Sequence, residues 1–349
     1  MLYNTENPHG GDIYAGGVTL DFSANTNPFG TPEGVKAAVA ASLDTLSLYP
    51  DPYCRRLVAA IAAHERVPKD MILCGSGAAE LIYSCCEALS PKTALELAPA
   101  FSEYSLALSR AGCKILRHRL SEDEGFCVSR RLLYDIERFR PEAVFICDPN
   151  NPTGRLMDAG LKADLLEVCR KNNIRLFADE CFTDLAGGAS YAACTKYAPH
   201  LTVLKAFTKS YGMAGLRLGY VISSDSELLK KMSRAVQPWN VSTAAQAAGA
   251  AALGETEFIE KTRRLIKKER PRLAAELCSL GFTVFPSDAN FLLFKADPAL
   301  GARLLERGVA LRDCSNFYGL GPGFYRTAVK LPEENDALID AVKAIRAAQ

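Results

Sequence analysis

Between residues 71 and 180 the chain alternates short apolar runs with longer amphipathic ones. Met71-Ile72-Leu73-Cys74, the stretches 94–97, 114–120 and 143–147, and Ile174 to Ala178 are bounded by Gly, Pro, Asn or Asp and read as strands. Helical spacing fills the intervals 78–89, 102–112 and 159–172. Strands alternating with helices at this rhythm predict an α/β fold with a largely parallel sheet and right-handed crossovers. Ligands of such sheets collect beyond the carboxyl ends of the strands, where Gly77, Asn151, Asp179 and Lys209 all fall.

The two ends of the chain have a different texture. The first thirty residues are irregular and rich in Gly, Asn and Pro, and read as an N-terminal arm in which His9, Gly10 and the amides Asn25 and Asn27 could line a site. Helices over 32–43 and 55–64 follow, separated by the turn Tyr49-Pro50-Asp51-Pro52. Beyond Gly219 come helices at 225–236, 243–253 and 255–280, the last with Pro271 as a bend. Short strands at 282–285, 290–294, 309–313 and 323–329 then alternate with a helix at 300–307 and a terminal helix. This is an α+β pattern, so the expected division is an arm (1–30), a large α/β domain (31–245) and a small domain (246–349).

Composition narrows the class of protein. A chain of 349 residues with 48% hydrophobic and 23% charged content is an ordinary globular sequence. A net charge of +1 leaves no electrostatic footprint for nucleic acid or an anionic membrane. No apolar run reaches the roughly 20 residues of a membrane span, and the N-terminus lacks the pattern of a signal peptide. Twelve cysteines are scattered without a C-x-x-C and suit a reducing cytoplasm. Four histidines at no metal-ligand spacing argue against a metal site.

Candidate chemistry centres on 202–221, TVLKAFTKSYGMAGLRLGYV, which reads as strand, loop, strand with Thr208, Lys209 and Arg217 in the loop. A lysine at strand ends can form a Schiff base once burial and neighbouring cations lower its pKa. Arg217 offers a planar fork for a phosphate. Taken alone, the stretch reads equally well as a loop with two exposed basic residues. The turn Gly75-Ser76-Gly77 between a strand and a helix builds an anion site or a plain tight turn.

T-K-x-x-x-x-x-G-L-R-x-G-Y resembles the lysine segment of fold-type I enzymes that use pyridoxal phosphate. N-N-P-T-G at 150–154, A-D-E at 178–180 and G-L-R-L-G-Y at 215–220 look like the aminotransferases that include histidinol-phosphate aminotransferase. H-G-G at 9–11, F-S-A-N-x-N-P-x-G at 22–30, P-A-F-S-E-Y at 99–104, Q-P-W-N-V at 237–241 and R-D-C-S-N-F at 312–317 resemble more closely the threonine-phosphate decarboxylases of cobalamin synthesis. Phe182, where the aminotransferases usually have tyrosine, also resembles the decarboxylases. Two positions depart from the pattern: Ala206, where a hydroxyl residue is usual, and Ala214, where the decarboxylases have proline.

The resemblance implies a role for each position. Lys209 would hold the cofactor's aldehyde, Asp179 its pyridine nitrogen and Asn151 its ring hydroxyl, while Tyr104 would stack on the ring. Gly77, Ala78, Ala79, Thr208 and Arg217 would take its phosphate, with Tyr49 reaching that group from a second subunit. Arg326 would bind the substrate carboxylate and Arg312 its phosphate, and His9 would reach across a homodimer interface. The implied reaction is decarboxylation of an O-phosphorylated amino acid, most simply L-threonine O-3-phosphate. The alternative is a histidinol-phosphate-type aminotransferase. A non-catalytic DNA-binding relative of this fold would need a basic helical arm, and none precedes residue 30.

Overall fold

A computed structural model describes residues 9–14 and 16–347. Thirteen strands occur among them: β1 (Leu20–Asp21), β2 (Ile72–Gly75), β3 (Thr93–Ala98), β4 (Lys114–Arg119), β5 (Ala143–Cys147), β6 (Arg175–Asp179), β7 (Leu201–Ala206), β8 (Gly219–Ile222), β9 (Thr283–Val284), β10 (Phe291–Lys295), β11 (Val309–Ala310), β12 (Arg312–Asp313) and β13 (Phe324–Ala328). Seven form one sheet in the order β2-β8-β7-β6-β5-β3-β4, in which every strand except β8 runs the same way. β5 and β7 are buried along their whole length, as expected of central strands covered on both faces by helices.

The register brings the chemistry to one edge. Cys147 lies opposite Asp179, Asp179 opposite Leu204, and Ala206 opposite Gly219, which also faces Gly75. Gly75, Gly219 and Ala206 thus form one row and Leu204, Asp179 and Cys147 another, two residues back along β7, so the ends of β2, β5, β6 and β7 and the start of β8 gather at one edge of the sheet. This is the architecture that the resemblance to fold-type I pyridoxal-phosphate enzymes implies.

The C-terminal residues build a four-stranded antiparallel sheet, β12-β13-β10-β9. Here the sequence pattern is corrected twice. The run 309–313 is two strands, because β11 pairs with β1 while β12 pairs with β13. The arm is also less free than its composition suggests: β1 is a strand of that pair, and Phe22 is buried among Leu292, Phe294 and Tyr325. Residues 1–8 of the arm lie outside the described residues. Pro271 does not interrupt the helix Thr256–Ser279, and residue 245, the expected division, lies within the helix Thr243–Ala252. A shared core ties the two sheets together, with Phe285, Leu293, Phe317 and Phe324 packed among Leu95, Leu97 and Phe126.

Candidate active site

Lys209 is carried on a single helical turn, Phe207–Ser210, inserted between β7 and β8 where the sequence suggested an irregular loop. Two anchors hold that turn. The amide of Asn27 donates to the Ser210 carbonyl at 2.8 Å, and the Ser210 hydroxyl lies 3.4 Å from Asp184. Below it, Lys205 is buried between Glu65 (2.9 Å) and Asp184 (3.1 Å), and the Tyr220 hydroxyl closes on Glu65 at 2.6 Å. Burial, and then the nearby Arg326 and Arg217 guanidinium groups, push the Lys209 amine down to about 8. Roughly a tenth of such an amine is neutral and nucleophilic at pH 7, against well under about a thousandth of an ordinary lysine.

Asp179 ends β6 and is buried. One oxygen accepts the Tyr104 hydroxyl at 2.6 Å and the other the Cys181 N–H at 2.9 Å. Burial raises its pKa, opposed by those hydrogen bonds. A cation brought to its remaining lone pairs would reverse that shift, so the site suits a protonated ring nitrogen.

Tyr104 does not do what was expected of it. Its side chain is 1% exposed, so its ring is already covered and offers no face to a cofactor. It faces inward with Ala107 and Leu108, the stripe of its own helix, and its hydroxyl supports Asp179. The aromatic at the cleft is Phe101 at the start of that helix, half-buried, edge-on to Tyr104 at 5.8 Å and 5.6 Å from His9. His9 itself bonds Glu103 of its own chain at 2.8 Å. Gly10 packs tightly on Ser23, where a Cβ would lie 2.6 Å from the carbonyl oxygen.

Asn27 is corrected as well. Its amide donates to Ser210 and Thr262 and its oxygen accepts the Phe29 N–H two residues on, an Asx turn fixed by Pro28. Both of its donor hydrogens are spent on structure. Asn25 is the contrasting amide: it is buried, and neither its side-chain nitrogen nor its oxygen has a partner. A buried amide without partners is costly unless a ligand completes it.

The same holds for Arg326 in the middle of β13. It is 7% exposed, donates to the Asn151 side chain and, at 2.8 Å, to the Ser23 carbonyl, and leaves Nε without a partner. Burial, followed by the repulsion of Arg312, lowers its pKa to about 10. Arg312 lies directly opposite it on β12, half-buried, donating to Asn316 at 2.8 Å and to the Asp313 carbonyl.

At the other end of that sheet edge the first turn of the helix Gly77–Leu89 opens beside Gly219. Gly77 has φ of +82°, and a Cβ there would sit 2.7 Å from the Arg217 guanidinium; at Gly219 it would meet the Ala78 nitrogen at 3.1 Å. Bare backbone, free N–H groups at Gly77, Ala78 and Ala79, and an arginine make a cradle for a phosphate. Thr208 is buried one residue before the lysine, and Ala206 ends β7 without a hydroxyl. Tyr49 is elsewhere: it is 78% exposed and stacked on Trp239 at 4.5 Å. Sequence reasoning passed over Glu80, which accepts the Ser76 N–H at 2.6 Å and the Asn240 amide and so ties this cradle to Q-P-W-N-V. Lysine, carboxylate, ring-hydroxyl amide, aromatic and phosphate cradle together fit pyridoxal phosphate. No cluster of metal-ligating side chains occurs among the described residues.

Comparison with known proteins is consistent with this geometry. Residues 18–342 match the aminotransferase class I and II family. The chain is 36% identical to the threonine-phosphate decarboxylase of Salmonella typhimurium, over 99% of its own length and 97% of the relative's. It is 32% identical to a histidinol-phosphate aminotransferase of Caldanaerobacter subterraneus, over 92% of each chain. Among solved structures, the histidinol-phosphate aminotransferase of Clostridium acetobutylicum superposes with a TM-score of 0.88 at 29% identity, covering 95% of this chain and 100% of that one.

Proposed function

The chain belongs to the aminotransferase class I and II family, and we propose that it removes CO2 from an O-phosphorylated amino acid, converting L-threonine O-3-phosphate to (R)-1-amino-2-propanol O-2-phosphate for cobalamin synthesis. Its cofactor is pyridoxal phosphate, which when bound supplies a ring that draws electrons from the substrate's Cα. Lys209 would hold the cofactor and carry protons at that carbon. Asp179, braced by Tyr104, would keep the ring nitrogen protonated, Asn151 would meet the ring hydroxyl and Phe101 would cover the ring. The turn at Gly77, Ala78 and Ala79, with Thr208 and Arg217, would hold the phosphate.

One observation carries the substrate class: two arginines opposite one another on adjacent strands. Directly opposed residues project from the same face of a sheet. Arg326 is buried with Nε still to be satisfied, which suits a carboxylate taken out of water, and Arg312 at the rim suits a phosphate. Loss of CO2 over amino transfer is supported by residue 182, a phenylalanine as in the decarboxylases, which packs edge-on to Phe291 at 5.1 Å; the Phe291 ring lies in turn 5.4 Å from the Arg326 guanidinium.

A homodimer in the cytoplasm completes the proposal. Leu46, Leu48, Tyr49, Tyr53 and Trp239 are exposed apolar side chains, with Tyr49 stacked on Trp239, and a second copy covering them would bring Tyr49 to the other subunit's cofactor phosphate. The test is chemical. L-threonine O-3-phosphate, without any keto acid, should give CO2 in stoichiometric amount. Ready formation of glutamate from histidinol phosphate and 2-oxoglutarate, without CO2 from the phosphorylated threonine, would replace this reading with the aminotransferase.

A further inference from the structure

Arg312 is aimed by the loop that follows it. The Cys314 N–H donates to the Phe324 carbonyl at 2.8 Å, Phe317 to Cys314 at 3.0 Å and Leu320 to Phe317 at 3.0 Å, so residues 314–320 form successive turns. Cys314 and Phe317 are buried beneath the loop. The Arg312 guanidinium lies 5.0 Å over the Phe317 ring and bonds Asn316 and the Asp313 carbonyl. These three contacts come from within the loop, so the direction of the guanidinium follows the loop's position.

The next side chain leaves that unit and crosses to the large sheet. Tyr318 is 47% exposed, with its ring 4.2 Å from the Arg117 guanidinium and 5.5 Å from that of Arg119, on edge strand β4. Arg119 donates to the Tyr318 hydroxyl at 3.0 Å and has no carboxylate partner among the described residues. Arg117 is held in turn by buried Glu96 at 3.0 Å, which also receives the Ser105 hydroxyl. The arginines favour the phenolate, lowering the Tyr318 pKa, with the Arg119 hydrogen bond the first cause. An aromatic ring against two cations is a strong anchor for a surface loop, and one foot of it is immobilised by a buried carboxylate.

We propose that Tyr318, clamped by Arg117 and Arg119, is a positioning residue that fixes Arg312 for the substrate's phosphate and so sets the preference for phosphorylated over plain amino acids. This rests on the assignment of Arg312 made above. A free loop must be ordered when the phosphate arrives, and that cost appears as weaker binding of this group alone.

The experiment compares wild type, Tyr318→Phe and Tyr318→Ala with L-threonine O-3-phosphate and with L-threonine, and measures inorganic phosphate as a competitive inhibitor. Tyr318→Ala should raise KM for the phosphorylated substrate and Ki for phosphate about tenfold, with kcat within about threefold and the slow reaction of L-threonine unchanged. Tyr318→Phe, which keeps the ring and the fold, should give about a threefold rise in the same two constants. An unchanged KM and Ki in Tyr318→Ala overturns the clamp, as does an equal loss with both substrates or a fall in kcat alone. A wild-type enzyme that does not prefer phosphorylated threonine removes the Arg312 assignment itself, and the clamp with it.

Discussion

Arg326 and Arg312 occupy opposed positions on neighbouring strands, one side chain buried beneath the cleft and the other at its rim. Arg326 is held by elements far apart in the chain, the carbonyl of Ser23 and the amide of Asn151, and has lost its water. Arg312 is held by residues within its own loop and keeps part of its hydration. The fold has therefore already met the desolvation cost of Arg326, which an arriving anion recovers through the orphaned Nε. Nothing equivalent has been set aside for Arg312, whose usefulness depends on orientation. The inner end of the site, with Lys209, Asp179 and Asn151, shares the character of Arg326, whereas the rim is solvated and adjustable.

The largest test of that contrast is Asp179→Asn. Asparagine preserves the size of the side chain and can still meet Tyr104 and Cys181, but it cannot stabilise a cation beside it. Turnover should fall by about 10³ or more while cofactor absorbance shows the site still loaded. Near-normal turnover would mean that another acid does this work. Next in size is the pair Arg326→Gln and Arg312→Gln. The first should cost about 10²-fold in kcat/KM for every amino acid tried, since it empties a buried anion site. The second should cost about tenfold or somewhat more, with phosphorylated substrates only. Equal and substrate-independent losses would erase the distinction between inner end and rim.

How far the sequence revealed this site depends on what each position demands. The strand ends were legible because a buried parallel strand leaves an uninterrupted apolar run, and β5 and β6 fall within a residue or so of where that pattern put them. Lys209, Asp179 and Asn151 follow from those boundaries. The choice between neighbours was less legible. Phe101 and Tyr104 are both aromatic in P-A-F-S-E-Y, and only the stripe Tyr104, Ala107, Leu108 shows which one turns inward. Asn25 and Asn27 differ in the same way: the Pro28 turn consumes Asn27, a local signal, while the isolation of Asn25 depends on tertiary packing. The splitting of 309–313 had no local signature at all. It requires β1, nearly three hundred residues earlier, to take the first half as its mate.

The smallest expected effect concerns the cost of the inner end to stability. Burial, with Arg326 and Arg217 near, lowers the Lys209 amine from its ordinary 10.5 to about 8. In cofactor-free protein below pH 8 the amine is protonated both folded and unfolded, and the folded state bears the full penalty of a crowded charge. Between pH 8 and 10.5 the folded state has released its proton and the unfolded state has not, so stability rises with pH through that window. Above it the penalty is gone. Lys209→Met removes the charge while keeping a flexible apolar stem, and should stabilise the cofactor-free protein at pH 7 by on the order of 1 kcal/mol, since water reaches the half-buried amine and softens the shift. Thermal melts of both proteins at a series of pH values would show the gap in Tm closing as pH climbs from 8 towards 10.5. A gap that does not change with pH would mean that the amine is solvated like any surface lysine, and that the inner end is no drier than the rim.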